Sequence, residues 1–506
     1  MNFFINSDLS NLSSGIEHAQ LKRLRLFQQF GQPAKILTTY YRNNWAEGPG
    51  RFGLTTNDVL NIFDYFGHNI HVHHRPNHIA QFCRQHQYQI LQNLGRQGVE
   101  QGYLVQTADG RKAVVRVYIP DQQVISVAFG NETSKRTTYA EGYDTRGFLS
   151  IKYYFGTQGK LKKQEIVNDQ GQVFCTEIFN RSGTKVLYTD LIFRGQTQRF
   201  HDLPTLQAYF LDQVNQDYAG KNLFISDRYE CTEGLGRMQT PATKAVFIHS
   251  HFITHFDGDV LTDKLNYNYE FGLTHPQKFD LFICPTEQER SDIQRRFPNI
   301  EHQVVAIPSG YTKNNWSPVA IQQRDPNQIM MVARISAEKQ IPQALLILQR
   351  VLNHLPHVHL DIYGGVTSTA EYQLVQAQIQ ALHLQEAVRF KGNIDNLSHY
   401  YDQARVLLST SNTEGFGLSL LEALEHGVPV VGYDCRYVNS ELIQDGSNGY
   451  LIPLNDLQQA TKRVIQILTN STLAQKLSTQ AYQSAKKFAA PQLWSRWQKV
   501  LQRSNL

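Results

Sequence analysis

The sequence predicts an α/β protein built from two doubly wound parallel-sheet domains, the first interrupted by an antiparallel β-rich insert. Three observations carry this. In the outer parts of the chain, short apolar runs alternate with helix-period segments, the rhythm of parallel sheets flanked by helices. From about Tyr103 to Phe193 that rhythm gives way to period-two alternation with regularly spaced turns. At Glu414 to Glu422 a Gly-containing loop with two carboxylates follows a predicted strand, at the end where open α/β sheets bind ligands.

Composition bounds the answer further. A chain of 506 residues accommodates two to four domains, and 41 % hydrophobic with 18 % charged residues is an ordinary globular balance. The formal charge of +5 is small for this length and Lys and Arg are dispersed, so no nucleic-acid partner is expected. Five scattered cysteines (Cys83, Cys175, Cys231, Cys284, Cys435) without C-x-x-C spacing fit a reduced, cytoplasmic protein. The start, Met1 to Ser7, has no basic region or long apolar core, so no signal peptide is expected. No apolar run approaches membrane-spanning length, which leaves peripheral contact with the inner face of the membrane open.

In order along the chain, Asn2 to Ile5 reads as the first strand. The turn Ser13-Ser14-Gly15 then opens a helix with apolar residues at Ile16, Ala19, Leu24 and Phe27. Such a turn offers backbone N–H groups to a phosphate, or simply caps the helix. Lys35 to Tyr41 is the second strand. In the insert, strands are predicted at 113–119, 124–129, 148–155, 173–178 and 185–192, separated by Asp109-Gly110, Gln158-Gly159, Gln170-Gly171 and Ser182-Gly183. The insert contains no catalytic cluster; it is a decoration or, as an exposed sheet edge invites, a docking surface. The α/β rhythm resumes with strands at Asn222 to Ser226, Lys244 to His249, Asp280 to Cys284 and Val304 to Ile307. His251 and His255, with Asp257-Gly258-Asp259, would suit a cation if a helix made the histidines neighbours, but the adjacent Glu of the protease motif is missing and no metal is expected.

The second half is the cleaner domain. Its strands are predicted at Gln328 to Ile335, His357 to Tyr363, Ala387 to Lys391, Ala404 to Ser411, Val428 to Tyr433 and Tyr450 to Pro453, with helices at Ile341 to Leu355 and Ala370 to Leu384 between them. Arg334 and Lys339 follow the first of these strands, a guanidinium fork and a point charge suited to a diphosphate. Tyr363-Gly364-Gly365 and Gly392-Asn393-Ile394-Asp395 follow the next two, where glycine lets backbone approach a flat base. In the last loop, Gly415 and Gly417 allow close approach, Glu414 lies in the loop and Glu422 is placed in the first turn of the helix. Ser419 and Glu422 also read as an S-x-x-E capping box that needs no ligand. The final helix, with Trp494 and Trp497, crosses back to the first domain or closes the core of its own.

The spacing Glu414-x7-Glu422 resembles the signature of retaining family-4 glycosyltransferases of the GT-B fold. Ser-Ser-Gly-Ile-Glu-His-Ala-Gln, the β-rich insert, Asn266-Tyr267-Asn268-Tyr269-Glu270-Phe271 and Ser-Asn-Thr-Glu-Gly-Phe-Gly-Leu are similar to the GtfA-type subunits of accessory-secretion O-GlcNAc transferases, over nearly the whole chain. The resemblance implies two Rossmann-like domains facing a cleft: residues 1–66 with 199–308 on the acceptor side, 67–198 as the insert that docks partner and acceptor, 309–490 binding the UDP-sugar, and 491–506 crossing back. It implies Glu414 facing the donor sugar, His249 donating a hydrogen bond to that sugar, Arg334 and Lys339 on the diphosphate, and Glu422 on the ribose hydroxyls. Ser14, Gly15, Ile16, Glu17, His18, Gly364, Asn393, Ile394, Asp395, Gly415, Phe416, Gly417 and Leu418 complete the implied nucleotide-sugar site. The implied reaction retains configuration and uses UDP-GlcNAc as donor substrate, no cofactor and no metal. The implied acceptor is Ser/Thr in a serine-rich adhesin, reached with a non-catalytic GtfB-type subunit. The runner-up is a poly(glycerol-phosphate) α-glucosyltransferase, which shares the insert and both glutamates. A non-catalytic binding subunit is the third reading, against which the intact Glu414, Glu422, Arg334 and Lys339 count. The loop Ile307-Pro308-Ser309-Gly310-Tyr311 departs from the GtfA pattern.

Overall fold

The structure, a computed structural model, describes residues 1–9, 14–42, 49–50, 52–75, 77–130, 136–219, 222–313 and 317–503. Ser13, part of the predicted Ser/Gly turn, lies outside the described residues. The chain forms two compact units, residues 1–17 with 32–244 and residues 18–31 with 245–506.

In the first unit, β1 (Asn2–Asn6) pairs in parallel with β2 (Ala34–Thr38), and β2 with β3 (Val59–Asn61). These strands are buried on both faces, which is why they read as apolar runs rather than alternations. The insert is a meander of ten consecutive antiparallel strands, β4 (Gln89–Gln97) to β13 (Gln196–Phe200). One face buries Val105, Ala113, Val115, Val117 and Val127 over Phe82, and the residues that alternate with them are half-buried. The Asp109-Gly110 turn closes as expected, with Gly110 at φ +84, a conformation that favours glycine. The sheet begins earlier than the alternation predicts, because β4 is rich in Gln and Asn and is exposed along its length. Arg146 bolts the insert to the helix Ile62–Phe66 that follows β3. Its guanidinium donates to Asp144 at 2.7 and 2.9 Å, to Asp64 at 2.9 and 3.0 Å, and to the Asn69 carbonyl at 2.9 Å. All three side chains are buried, so each charge must be paired. Then β14 (Leu223–Ser226) pairs in parallel with β1.

The second unit holds two parallel sets. β15 (Thr243–Phe247), β16 (Leu281–Cys284) and β17 (Val304–Ala306) pair side by side. The other set contains β18 (Gln328–Val332), β19 (His359–Tyr363), β20 (Val388–Gly392), β21 (Val406–Ser409), β23 (Val430–Tyr433) and β25 (Gly449–Ile452), in the order β20-β19-β18-β21-β23-β25. A two-stranded parallel pair, β22 (Thr413–Glu414) and β24 (Arg436–Tyr437), stands outside that sheet. The helix Ile341–Leu352 turns Ile341, Ala344, Leu345, Leu348 and Val351 onto the sheet, the i, i+3, i+4 pattern that predicts it. The final helix Ala490–Arg503 packs Trp494 on Phe30 (ring centroids 5.0 Å, stacked) and Trp497 edge-on against Phe27 at 5.2 Å. All five cysteines are free and buried. Among the described residues, no helix is long and apolar enough to cross a membrane.

Several strands stop earlier than predicted: β18 at Val332 rather than Ile335, and β21 at Ser409 rather than Ser411. The cause is local. Thr410 turns its hydroxyl onto the carbonyls of Lys339 and Gln340 at 3.0 and 3.1 Å, so the chain leaves the sheet to form a loop pinned to its neighbour.

Candidate active site

The loops after β18, β19, β20 and β21 lie side by side because backbone bonds lash them together. Gly364 N–H donates to the Gly392 carbonyl at 2.8 Å, Ala333 N–H to Tyr363 at 2.9 Å, and Asn412 N–H to Glu338 at 3.0 Å. Gly364 sits at φ +151, and a Cβ there would lie 2.0 Å from the Ala333 carbonyl oxygen, so only glycine permits this approach. The result gathers Arg334, Lys339, Gly364 and Glu414 at the carboxyl end of one parallel sheet. Asn393, Ile394 and Asp395 extend that end beyond β20, with Asn393 and Asp395 exposed and Ile394 half-buried.

Glu414 is the best-held carboxylate of this set. Its Oε1 accepts from Lys339 Nζ at 2.6 Å and from the Ser411 hydroxyl at 2.7 Å. The Lys339 and Glu414 side chains are only 14 % and 12 % exposed, so the pair is shielded from bulk water. Its backbone is fixed by the β22–β24 pairing, where Glu414 lies opposite Tyr437. Arg334, by contrast, is exposed, and its guanidinium rests 3.2 Å from Glu338, which also accepts the Ser336 hydroxyl at 2.6 Å. Burial works to raise the Glu338 carboxyl, but the Ser336 hydrogen bond, its own backbone N–H, Lys339 and Arg334 outweigh it and hold it below its ordinary value. Arg334 is therefore held by one end of its guanidinium fork, with the rest of the side chain in solvent.

The helix Leu418–Glu425 starts from Gly417, which takes the left-handed conformation at φ +63 as N-cap. This corrects two expectations. Glu422 is the fifth helical residue, in the second turn rather than the first, and Ser419 lies inside the helix instead of capping it, so no capping box forms. Glu422 is free for another partner: it forms an ion pair with Lys22 at 3.3 Å and accepts the Tyr401 hydroxyl at 3.4 Å. Phe416 is buried in the core beside Leu420 and Leu421, so its backbone lines the loop while its ring anchors it; Leu418 packs against the same core.

His249 follows β15, half-buried, stacked on Phe247 with ring centroids 4.3 Å apart. The Glu414 loop rides directly on it. A Cβ on Gly415 would lie 1.8 Å from the His249 carbonyl oxygen, so glycine alone fits. Tyr269, on the helix Tyr267–Thr274, sets the height of the His249 loop. Its phenol oxygen accepts the N–H groups of His249 and Ser250, both at 3.0 Å, and shares a hydrogen bond with the Ser250 hydroxyl. Burial, chiefly, pushes the Tyr269 phenol up to about 12, so it stays protonated.

The turn before the first helix is a reciprocal cap. Ser14 Oγ accepts from Ile16 N–H at 3.3 Å, while Glu17 Oε2 accepts from Ser14 N–H at 2.6 Å. Glu17 is buried and also accepts from Asn6 at 3.3 Å and from Arg228, which reaches Ser14 Oγ at 3.1 Å. Burial raises the Glu17 carboxyl, yet the Arg228 charge and these hydrogen bonds bring it below its ordinary value. Its carboxylate is thus engaged by its own turn, while Gly15 and His18 are exposed and Ile16 half-buried at the helix start.

The two histidines weighed for a cation do not share a helix. His251 Nδ1 faces the Ile253 carbonyl at 2.6 Å, and His255 pairs with Asp263 at 2.9 Å. Among the described residues, no group of three or more His, Cys, Asp or Glu side chains is placed to hold a metal ion. Sequence reasoning missed Ser411, Tyr269, Lys22, Tyr401 and Arg228. Ser411 stands three residues before Glu414 and Tyr269 lies inside the Asn266–Phe271 motif, so those two carried a signal; the others act across long separations that no local pattern encodes.

This arrangement defines a class, and comparison with known proteins agrees. Residues 312–484 match the model of the family described as Glycosyl transferases group 1. The chain is a glycosyltransferase of the GT-B fold. Over 98 % of its length it is 26 % identical to the UDP-N-acetylglucosamine–peptide N-acetylglucosaminyltransferase GtfA subunit of Streptococcus gordonii, covering 97 % of that protein. It is 24 % identical, over 75 % of its length and 56 % of the other's, to the poly(glycerol-phosphate) alpha-glucosyltransferase of Bacillus subtilis. Among solved structures, a chain of a GtfA/B complex superposes with a TM-score of 0.79 at 22 % identity, covering all of this chain and 99 % of that one.

Proposed function

We propose that this chain is a catalytic, retaining glycosyltransferase that moves N-acetylglucosamine from UDP-N-acetylglucosamine to Ser/Thr hydroxyls of a serine-rich surface protein, working with a GtfB-type subunit. The observation that carries this is the shielded Lys339–Glu414 pair at the sheet's carboxyl end, in a chain similar over 98 % of its length to a GtfA subunit. In the reaction, the bond from the anomeric carbon to the diphosphate breaks and its electron pair leaves on UDP. The acceptor hydroxyl bonds to that carbon on the same face, and its proton passes to the departing phosphate oxygen. Charge therefore separates, negative on the diphosphate and positive on the sugar. Lys339 and Arg334 answer the first charge and Glu414 the second, an electrostatic division that serves in place of a metal.

The other residues take supporting roles. Glu422 accepts the ribose hydroxyls in exchange for Lys22 and Tyr401. Gly364, Asn393, Ile394 and Asp395 meet the base. Gly415 to Leu418 present backbone N–H groups, His249 donates to the sugar, and Ser14 to His18 offer amides to the phosphates, with Glu17 holding that turn. Residues 1–66 with 199–308 act on the acceptor side and 309–490 on the donor side. The 67–198 insert docks the partner, supported by the exposed apolar side chains Ile90, Leu91 and Leu94 along the edge strand β4. The enzyme works in the cytoplasm, at times against the inner membrane face.

UDP release by the purified chain, with UDP-N-acetylglucosamine and UDP-glucose as rival donors, tests this reading. Preferential release from UDP-N-acetylglucosamine is expected. Release from UDP-glucose alone would favour the teichoic-acid type of the Bacillus relative, and release from neither would make the chain a binding subunit.

A further inference from the structure

Lys22 and Glu422 meet from two different helices. On the helix Gly15–Gln29, His18, Lys22 and Arg25 stand at i, i+4 and i+7 and so share one face. Lys22 reaches from that face to Glu422 on the helix Leu418–Glu425. The loop Ile307-Pro308-Ser309-Gly310-Tyr311, which departs from the GtfA pattern, lies against both. A Cβ on Gly310 would stand 2.4 Å from Leu418 Cδ2, 3.7 Å from Leu421 Cδ2 and 3.5 Å from Lys22 Cδ. Glycine there leaves room for the Leu418 side chain, and the Lys22 stem runs beside it.

The pair is loosely held. Lys22 Nζ stands 3.3 Å from Glu422 Oε1, against 2.6 Å between Lys339 and Glu414, and its side chains are 28 % and 32 % exposed against 14 % and 12 %. A charged pair that long and that exposed binds its partners weakly. Glu422 Oε2 is no better satisfied. The Tyr401 phenol has a single proton to give, and its oxygen lies 3.1 Å from the Ser419 carbonyl but 3.4 Å from Oε2. Burial, chiefly, keeps that phenol protonated. A carboxylate accepts several hydrogen bonds and an ammonium donates several, so both partners have capacity left. A neighbouring cation and anion of this kind suit a group that donates to one and accepts from the other. A hydroxyl does both, whereas an ionised phosphate only accepts and would set its charge against Glu422.

We propose that Lys22 is a nucleotide-binding residue that recognises the ribose: one ribose hydroxyl enters the Lys22–Glu422 pair, donates to the carboxylate and accepts from the ammonium, and the pair thereby selects ribonucleotide over deoxyribonucleotide donors. The inference rests on the reading of Glu422 as the ribose acceptor and adds the residue that completes the hydroxyl's hydrogen bonds. A site built around a hydroxyl rejects the analogue that lacks it, because its polar groups are then left without their partner.

Calorimetric titration of the full chain with UDP, 2′-deoxy-UDP and 3′-deoxy-UDP tests this, on the parent, Lys22→Met, Lys22→Arg and Glu422→Gln. The parent is expected to prefer UDP over at least one deoxy analogue by about tenfold or more, the worth of a hydrogen bond to a charged group. Lys22→Met keeps the length of the stem and removes the charge. It should weaken UDP by about tenfold and leave that analogue's affinity unchanged, so the preference collapses, while Lys22→Arg should retain most of it. Equal weakening of UDP and both analogues by Lys22→Met would put the ammonium on the phosphates, and tighter UDP binding would make the pair a lock; either result overturns the proposal. A preference that Glu422→Gln removes and Lys22→Met leaves intact overturns this inference alone. A preference that Glu422→Gln also leaves intact, or no preference in the parent, overturns the ribose reading of Glu422 with it.

Discussion

Lys339 Nζ lies 2.6 Å from Glu414 Oε1, a cation and an anion shielded together where the loops after β18 and β21 meet. In the proposed mechanism the pair separates its charges when a donor arrives, the ammonium to the diphosphate and the carboxylate to the sugar. Lys339→Ala is expected to lower turnover by roughly 10²-fold or more, the cost of one lost transition-state donor. Arg334→Ala should act in the same direction, and its melting temperature should stay put because the side chain is exposed. UDP release at saturating donor measures both, and unchanged rates in both variants would remove them from the mechanism.

The two glutamates should separate by what they lose. Glu414→Gln is expected to abolish transfer while UDP still binds, since its proposed partner is the sugar. Glu422→Gln should weaken UDP binding, since Glu422 caps no helix end and, among the described residues, has Lys22 and Tyr401 to release. Calorimetric titration of UDP against each variant decides this. A Glu422→Gln protein that binds UDP normally would refute the ribose assignment.

What could be read in advance follows from locality. Lys339, Gly364 and Glu414 each follow a predicted strand within a few residues and Arg334 lies at the end of one, so strand placement alone brought them to one end of a sheet. Glu422 was misplaced by half a turn or more because Gly417, not Ser419, begins its helix, and a left-handed glycine cap competes with an S-x-x-E pattern that looks complete in sequence. The edge strand Gln89–Gln97 stayed hidden because its exposed residues, apolar Ile90, Leu91 and Leu94 among them, keep no regular alternation. Tyr269 beneath the His249 loop and Lys22 beside Glu422 depend on contacts 20 and about 400 residues away along the chain, which periodicity does not encode.

The backbone contact between Gly415 and His249 yields a steric test. Gly415→Ala forces a Cβ onto a carbonyl oxygen at 1.8 Å, so one loop must shift. The expected cost is about 1–3 kcal/mol of stability, with activity falling further than stability because Glu414 moves with its loop. Tyr269→Phe should act from below, leaving two backbone N–H groups without their acceptor at about 1–3 kcal/mol each. Thermal melts paired with UDP release check both; full activity in Gly415→Ala would mean the contact does not position the loop.

Glu17 predicts an acid dependence. Its folded carboxyl is held below its unfolded value by Arg228 and the Ser14 cap, so the folded state favours the ionised form. That stabilisation is complete above the ordinary glutamate range and is lost as pH falls through the lower folded value. Glu17→Gln should therefore melt below the parent at neutral pH, by about 3 kcal/mol if the pairing with Arg228 is broken, and the gap should close in acid. Melting curves across pH check the sign; a gap that widened in acid would contradict it.

The most direct test of the transfer reaction is product analysis with a protein acceptor. The purified chain, its GtfB-type partner, UDP-N-acetylglucosamine and a serine-rich polypeptide are combined, and the polypeptide is read by intact mass and by NMR of the anomeric proton. Successive additions of N-acetylhexosamine in the donor's own α configuration are expected, and they should vanish with Glu414→Gln. Unmodified polypeptide, hexose added only from UDP-glucose, or an inverted β linkage would contradict the assignment of this chain as a retaining protein N-acetylglucosaminyltransferase.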